Sequence, residues 1–318
     1  MAAPWVSQES TLARVKTTLK ETGLSGLTRR ATRQALLRVR DGASLLATKL
    51  FYIEAERRLP REERELAARC RELAGSEKGR AAFVLGTAPS LKKYDLSHLA
   101  GHVTIGVNGF FRHPVMSEWQ PTHYVLMDGV FFDDPPTNHP FFEELHKVTP
   151  KTKFLIPASE AARCREQRYL PDDRTYHFVM DGSLDDGGVD DLDLSRFVPG
   201  LVNSVQLAIG LAMHLGCSPI YVMGADHDWL TRNCQQNLVD DPHFYQGQTI
   251  TRKPRKDDAD PFHSYLVLID YCRKLWRSYE VLDGIAKRRG QQILFSKESY
   301  LDVFPAFDYD QWVASHLR

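Results

Sequence analysis

The stretch Ala81-Ala82-Phe83-Val84-Leu85-Gly86-Thr87-Ala88-Pro89-Ser90-Leu91 decides how the rest of the chain is read. Five apolar residues in a row, bounded by turn formers, predict a short strand buried on both faces. Gly86 follows it directly. A glycine there lets a phosphate approach the backbone. Pro89 and Ser90 suit the first turn of a helix, since Pro tolerates that place and Ser can cap it. A helix starting here would aim free N–H groups and its positive dipole end at an anion, and Ser90 could donate to a phosphate oxygen. A tight strand-to-helix turn uses the same residues with no ligand, so the turn alone predicts the fold more firmly than the function.

The same alternation continues along the chain. His102–Val107, His123–Met127, Lys153–Ile156, Tyr176–Met180, Pro219–Met223 and Gln292–Phe295 read as further short strands. Helical patterns lie between them, the best over Val202–Leu215 and Phe262–Arg289. Strands alternating with helices predict an α/β fold: a Rossmann-like, mostly parallel sheet with helices on both faces. Residues 1–78 lack strand-like runs and are rich in Arg, Leu and Ala. They are expected to form a basic helical extension, with Arg61–Ala74 a charged and exposed helix, and residues 79–318 the sheet domain. The basic stretch within residues 11–58 reads either as a packing arm or as a surface for anionic lipid or a partner. Residues 231–260 are polar, and long loops of that kind are commonly lids. The Asp-rich segment Asp181–Arg196 lacks the spacing of a calcium loop and reads as a solvated loop.

Bulk numbers narrow the classes. The chain has 318 residues, with 41 Lys plus Arg against 41 Asp plus Glu. That balance argues against a nucleic-acid partner. The five cysteines are widely spaced and form no C-x-x-C pair, which argues against a structural zinc site and fits a reducing compartment. The first residues lack the apolar core of a secretory signal, and no apolar run approaches the span of a bilayer. The expectation is a cytoplasmic protein that could sit on the inner face of the membrane. There is no Gly-x-x-x-x-Gly-Lys-Ser/Thr loop, no Gly-x-Gly-x-x-Gly after the first strand and no Gly-x-Ser-x-Gly elbow.

Four strand ends share a chemistry. Gly86-Thr87, Asn108-Gly109, Asp128-Gly129 and Gly224-Ala225-Asp226 each deliver glycine with a small polar residue. In an open parallel sheet such ends lie along one edge, where ligands bind. Asn203-Ser204 opens a long apolar helix. It can cap that helix, or hold a phosphate or carboxylate at the same edge. Together these residues predict a polar nucleotide or sugar site.

Gly86-Thr87-Ala88-Pro89-Ser90-Leu91, Asp95, Asn108 and Phe110-Phe111 resemble, in order, motifs of the bacterial lipooligosaccharide sialyltransferases, a glycosyltransferase family 42-like fold. So do Asn203-Ser204, Leu215-Gly216 and Ile220-Tyr221-Val222-Met223-Gly224-Ala225-Asp226. The same skeleton is similar to a wider group that includes 6-hydroxymethylpterin pyrophosphokinase and flagellin-modifying glycosyltransferases. The resemblance spans about residues 80–305. It implies a glycosyltransferase that moves an acidic sugar from a CMP-activated donor to a glycan or glycolipid precursor of the cell surface. It also implies an inverting mechanism with no metal or cofactor and a His general base. His243, in His243-Phe244-Tyr245, matches the family's base, and His263 is the second candidate. Gly86, Thr87, Pro89, Ser90, Asn108, Asp128, Asn203, Ser204, Gly224, Asp226 and Tyr245 are expected to bind the donor.

This chain departs from the family pattern at several places. Thr87 stands where the family has Asn, Ala88 where it has Gly, and Asp128 where it has Asn near the donor sugar. His227, Asp228 and Trp229 follow Asp226 in place of clean phosphate-binding tyrosines. Tyr245, Arg252, Lys253 and Arg255 are the groups expected to neutralise the leaving phosphate. Two other readings stand beside the transferase. One is a pyrophosphokinase-like phosphoryl transferase with Asp128 and Asp226 on Mg²⁺. The other is a nucleotide-binding module without chemistry. The sequence leaves monomer and homo-oligomer equally open.

Overall fold

The computed structural model describes residues 45–133, 135–184, 189–228 and 265–316, together with Thr32, Ala35, Val39, Gly42, Ala43 and Leu230. The chain forms two units, Met1–Phe51 and Tyr52–Arg318. The described residues of the first are helical, and Val39, Leu45, Leu46, Leu50 and Phe51 on it are exposed. Arg29, Arg30, Arg33, Arg38 and Arg40, which carry the expected basic surface, lie outside the described residues.

Among the described residues the second unit has nine strands: β1 (Ala82–Leu85), β2 (Val103–Val107), β3 (His123–Val125), β4 (Lys153–Pro157), β5 (Thr175–Asp181), β6 (Phe197–Pro199), β7 (Ile220–Met223), β8 (Ile293–Ser296) and β9 (Ala306–Phe307). Their order is β6-β5-β4-β3-β2-β1-β7-β8-β9, and every neighbouring pair is parallel. The Rossmann-like α/β sheet expected from the sequence is therefore present, wider by two strands. β6 and β9 have three and two residues. Runs that short carry no readable period.

Six α-helices with both ends among the described residues accompany the sheet: α1 (Arg61–Ala68), α2 (Pro135–Val148), α3 (Ala161–Glu166), α4 (Ser204–His214), α5 (Tyr265–Arg288) and α6 (Tyr309–His316). Successive strand residues face opposite sides. Ala82, Val84, Ile105, Ile220, Val222 and Phe295 join one apolar cluster with α4 and α5. Phe83, Leu85, Tyr124, Phe154 and Met223 join a second with α2, α6 and several short turns. Helix α4 has ten buried residues of its eleven. Being apolar all round, it fits only between the sheet and α5. Helix α5 buries Leu268, Cys272, Leu275, Tyr279, Leu282 and Ala286, a spacing of three and four that keeps one face on α4.

Two expectations need correction. Arg61–Ala74 is not an exposed helix. Helix α1 ends at Ala68 and a short 3-10 helix, Arg69–Glu72, follows it. Ala67, Cys70 and Leu73 are buried against the sheet. The Arg69 guanidinium also donates to the carbonyls of Asp172 and Asp173. The charged residues made this segment read as solvated, but they occupy only its outer face. The segment after Gly86 is likewise no α-helix. It is a five-residue 3-10 helix, Pro89–Lys93, ended by extended Tyr94, and Asp95 caps a second turn through the Ser97 N–H. A piece that short carries no useful macrodipole.

Burial of three imidazoles ties the fold to pH. Loss of hydration pushes His123 down to about 3 and both His177 and His227 down to about 4. Each stays neutral in the fold but takes a proton near pH 6.5 once unfolded. Their contribution is therefore complete above 6.5 and is lost as the pH falls from 6.5 toward 4. One pH unit below 6.5 the cost is about 1.4 kcal/mol for each, or about 4 kcal/mol together. Urea unfolding at pH 7.5 and 5.5 measures it. An unchanged midpoint would mean that the three imidazoles are not held neutral.

Candidate functional site

Strands β2 to β6 extend the sheet on one side of β1, and β7 to β9 on the other. The crevice at the carboxyl ends of β1 and β7 is thus the point where the winding reverses, the usual ligand position in such sheets. Because β3, β2, β1 and β7 are parallel neighbours, Asp128, Asn108, Gly86 and Gly224 fall along one edge in that order.

At the crevice the two backbones nearly touch. A Cβ added to Gly86 would lie 2.1 Å from the Gly224 carbonyl oxygen. The Gly86 and Ala88 N–H groups donate to the Met223 and Gly224 carbonyls at 2.8 and 2.9 Å. Gly224 itself has φ +65°, and a Cβ there would meet Leu91 Cγ at 2.5 Å. Asp226 completes the junction. Its Oδ1 accepts from Ser90 Oγ at 2.5 Å and its Oδ2 from the Ser90 N–H at 3.2 Å. Both residues are buried. Hydrogen bonds to a buried carboxylate are worth about 1.5–3 kcal/mol each. Ser90 and Asp226 therefore hold the crevice's shape, and Asp226 has committed both oxygens within the protein. Thr87 is buried and Pro89 half-buried in the same turn.

One strand over, Asn108 takes a left-handed conformation, φ +49°, which is uncommon outside glycine and concentrates at functional positions. Ser204, the first residue of α4, donates to Asn108 Oδ1 at 3.0 Å. The Tyr124 hydroxyl donates to the Asn108 carbonyl at 2.7 Å. This brings the start of an eleven-residue helix to the edge, so the positive helix end sought after Gly86 comes from α4 instead. Asn203 is used differently. Its Oδ1 caps the Gln206 N–H at 2.9 Å.

The residue after Asp226 was legible only as a departure from a motif. His227 is buried at φ +57°. Its Nδ1 lies 2.6 Å from the Ala225 carbonyl, so Nδ1 carries the proton, and Nε2 accepts from Tyr279 at 3.0 Å. Tyr279, His227 and Ala225 form one chain of hydrogen bonds that ties α5 to the end of β7. With both nitrogens engaged and its pKa low, His227 is a positioning group and no general base. Two tyrosines reach the edge from far along the chain. Tyr271 of α5 is near Asp128, and burial pushes it up to about 12, with a smaller push from that carboxylate. Exposed Tyr300 is held beside Asp226 by a 2.8 Å backbone bond to the Asp226 carbonyl. No local motif announces either.

Of the expected site residues, Gly86, Thr87, Pro89, Ser90, Asn108, Asp128, Asn203, Ser204, Gly224 and Asp226 share this edge. His243, Tyr245 and His263 lie outside the described residues, as do the expected lid and Arg252, Lys253 and Arg255. Cys70, Cys164, Cys217 and Cys272 are buried free thiols. Among the described residues no group of His, Cys, Asp and Glu is arranged to hold a metal ion, and no helix is long and apolar enough to cross a membrane.

No family model and no curated protein matches this sequence. Solved structures do. The sialyltransferase CstII from Campylobacter jejuni in complex with cytidine-5'-monophosphate is similar over 72% of this chain and 85% of its own, at 14% identity and a TM-score of 0.40. The same enzyme with CMP-3FNeuAc is similar over 72% and 86%, at 12% identity and 0.38. With a trisaccharide acceptor and CMP, the figures are 72% and 86%, 12% and 0.40. Likeness at these values assigns no residue of this chain a role.

The junction makes a sharp prediction. Gly86→Ala sets a Cβ against backbone that has no room to move and should cost about 3 kcal/mol or more. Gly284→Ala, inside α5 with only the end of Arg288 within 4 Å, should be neutral or stabilising by up to about 1 kcal/mol. Thermal unfolding of the two variants compares them. Equal effects would show that the crevice tolerates a side chain.

Proposed function

We propose that the chain is a nucleotide-sugar-dependent glycosyltransferase that carries an acidic sugar from a CMP-activated donor to a glycan or glycolipid acceptor. The observation that carries this reading is the switch-point crevice. The buried Gly86–Gly224 junction, the α4 start at Ser204 and left-handed Asn108 converge on one edge. A helix start suits a phosphate. The side-chain N–H groups of Asn108 suit the polar rim of a ribose or base. The ordered motif likeness to the sialyltransferases supplies the chemistry.

In this reading the crevice residues bind and orient the donor. His243, or His263 in its place, takes the proton from the acceptor hydroxyl as that oxygen attacks the anomeric carbon. The C–O bond to phosphate breaks, CMP leaves with the electron pair, and the configuration inverts. Imidazole suits the task because its ordinary pKa lies near working pH. No metal is required. Work at the inner face of the cell membrane would suit a lipid-linked acceptor and the basic residues within 11–58.

The phosphoryl-transfer alternative needs Asp226 as a metal ligand. Both Asp226 oxygens are occupied by Ser90, which weighs against it. A binding module without chemistry differs from the transferase in what His243 or His263 does.

Thermal unfolding with CMP, CDP, UDP and ATP, each with and without Mg²⁺, is the test. A ligand that binds only the folded state at a hundredfold excess over its Kd stabilises by about 2.7 kcal/mol. CMP should stabilise without metal. His243→Ala should keep that shift while transfer falls at least a hundredfold. Stabilisation by ATP with Mg²⁺ alone would overturn the proposal.

A further inference from the structure

Farther along the carboxyl edge, past Asp128, lies a cavity of about 240 Å³ over the ends of β3, β4 and β5. Strands are spaced by about 4.8 Å, which puts its centre at β4 roughly 10 Å from Asn108. Its apolar wall includes Met127 and Met180, and its polar groups are Ser159, Glu160 and Glu63. Glu63 comes from α1, ahead of the first strand. Ala67 of that helix packs on Ala158 and Val179, so α1 closes the cavity from outside the sheet. This wall lies outside the stretch that resembles the sialyltransferases.

The orientation of Glu160 is fixed. Its Oε2 accepts from Arg163 at 2.8 Å, and its Oε1 lies over Gly129, 3.8 Å from where a Cβ would stand. The Glu160 side chain is only 15% exposed. The described lining holds two carboxylates and no basic side chain, since Arg163 reaches Glu160 from α3 without lining the space.

A sugar ring matches this set. Its C–H faces lie against methionine side chains, and neighbouring hydroxyls donate to a carboxylate. The volume is below the usual range for drug-sized ligands and suits one ring. A sugar that bears its own carboxylate would meet the like charge of Glu63 and Glu160. We propose that the cavity binds one neutral sugar ring of the acceptor, with Glu160 and Ser159 taking its hydroxyls. Its assignment to the acceptor rests on the transferase reading, in which the donor sugar is acidic.

Saturation-transfer NMR on the full chain tests it. The probes are methyl β-galactoside, the methyl glycoside of N-acetylglucosamine, and methyl glucuronide, with CMP titrated separately by calorimetry. At least one neutral glycoside should receive saturation, and the glucuronide should not. Met180→Trp, which fills the space, and Glu160→Gln should each reduce the signal at least fivefold and leave the CMP Kd within twofold of its starting value. Ser159→Ala provides the same comparison if Met180→Trp does not fold. Absence of any neutral signal, an equal signal from the glucuronide, or indifference to all three variants would overturn the cavity proposal. Sensitive glycoside binding by a protein that does not bind CMP would leave the sugar site standing and remove the nucleotide reading.

Discussion

Two glycine backbones, from strands far apart in sequence, meet at van der Waals limits where the sheet reverses its winding. The rest of the site follows from that contact. With any side chain at Gly86, β1 and β7 could not leave the sheet together, and the Ser90 N–H and hydroxyl could not both reach Asp226. That carboxylate is buried and would be costly alone. Ser90 makes it tolerable, and it in turn fixes the turn that carries Ser90. Local chain geometry and buried charge are thus solved by the same few atoms.

A second layer sets the helix starts. Helix α4 is apolar on every side, so its position depends on the sheet and α5, yet its first turn must still satisfy open N–H groups. Asn203 does this for Gln206, and Ser204 turns toward Asn108. The chain from Tyr279 through His227 to Ala225 then joins α5 to β7, two elements that no sequence motif connects. The crevice is consequently a rigid wall, preorganised before any ligand arrives, which lowers the entropy lost on binding.

The central strands were legible because each is a short apolar run bounded by glycine or proline, and a buried parallel sheet selects for that composition. Gly86, Asn108, Asp128 and Gly224 were legible as one edge for the same reason: parallel strands end on the same side. Other features were not. Strands β6 and β9 are too short to show a period. The helix expected at Pro89 is only a 3-10 turn, because Tyr94 is extended and Asp95 begins another. Cys70 and Leu73 looked solvated among charged neighbours, although a helix can bury one face and still carry many charges. Tyr271, Tyr300 and Glu63 reach the edge only through tertiary packing, which single-sequence patterns do not encode.

The position of β1 in the middle of the sheet also constrains how the protein is made. Ala82 pairs with Val103 on one side, but on the other it waits for Ile220, which leaves the ribosome only after five further strands. Until then the inner edge of β1 is an unpaired, wholly apolar strand, the kind of edge prone to pairing with another chain. Parallel pairing over such sequence distances is intrinsically slow, and domains are built as the chain emerges. Helix α4 precedes β7 and is apolar all round, so it is available to cover the β1 face before the second neighbour arrives. The order of elements along the chain thus lets α4 bury the apolar face of β1 before its second edge is paired.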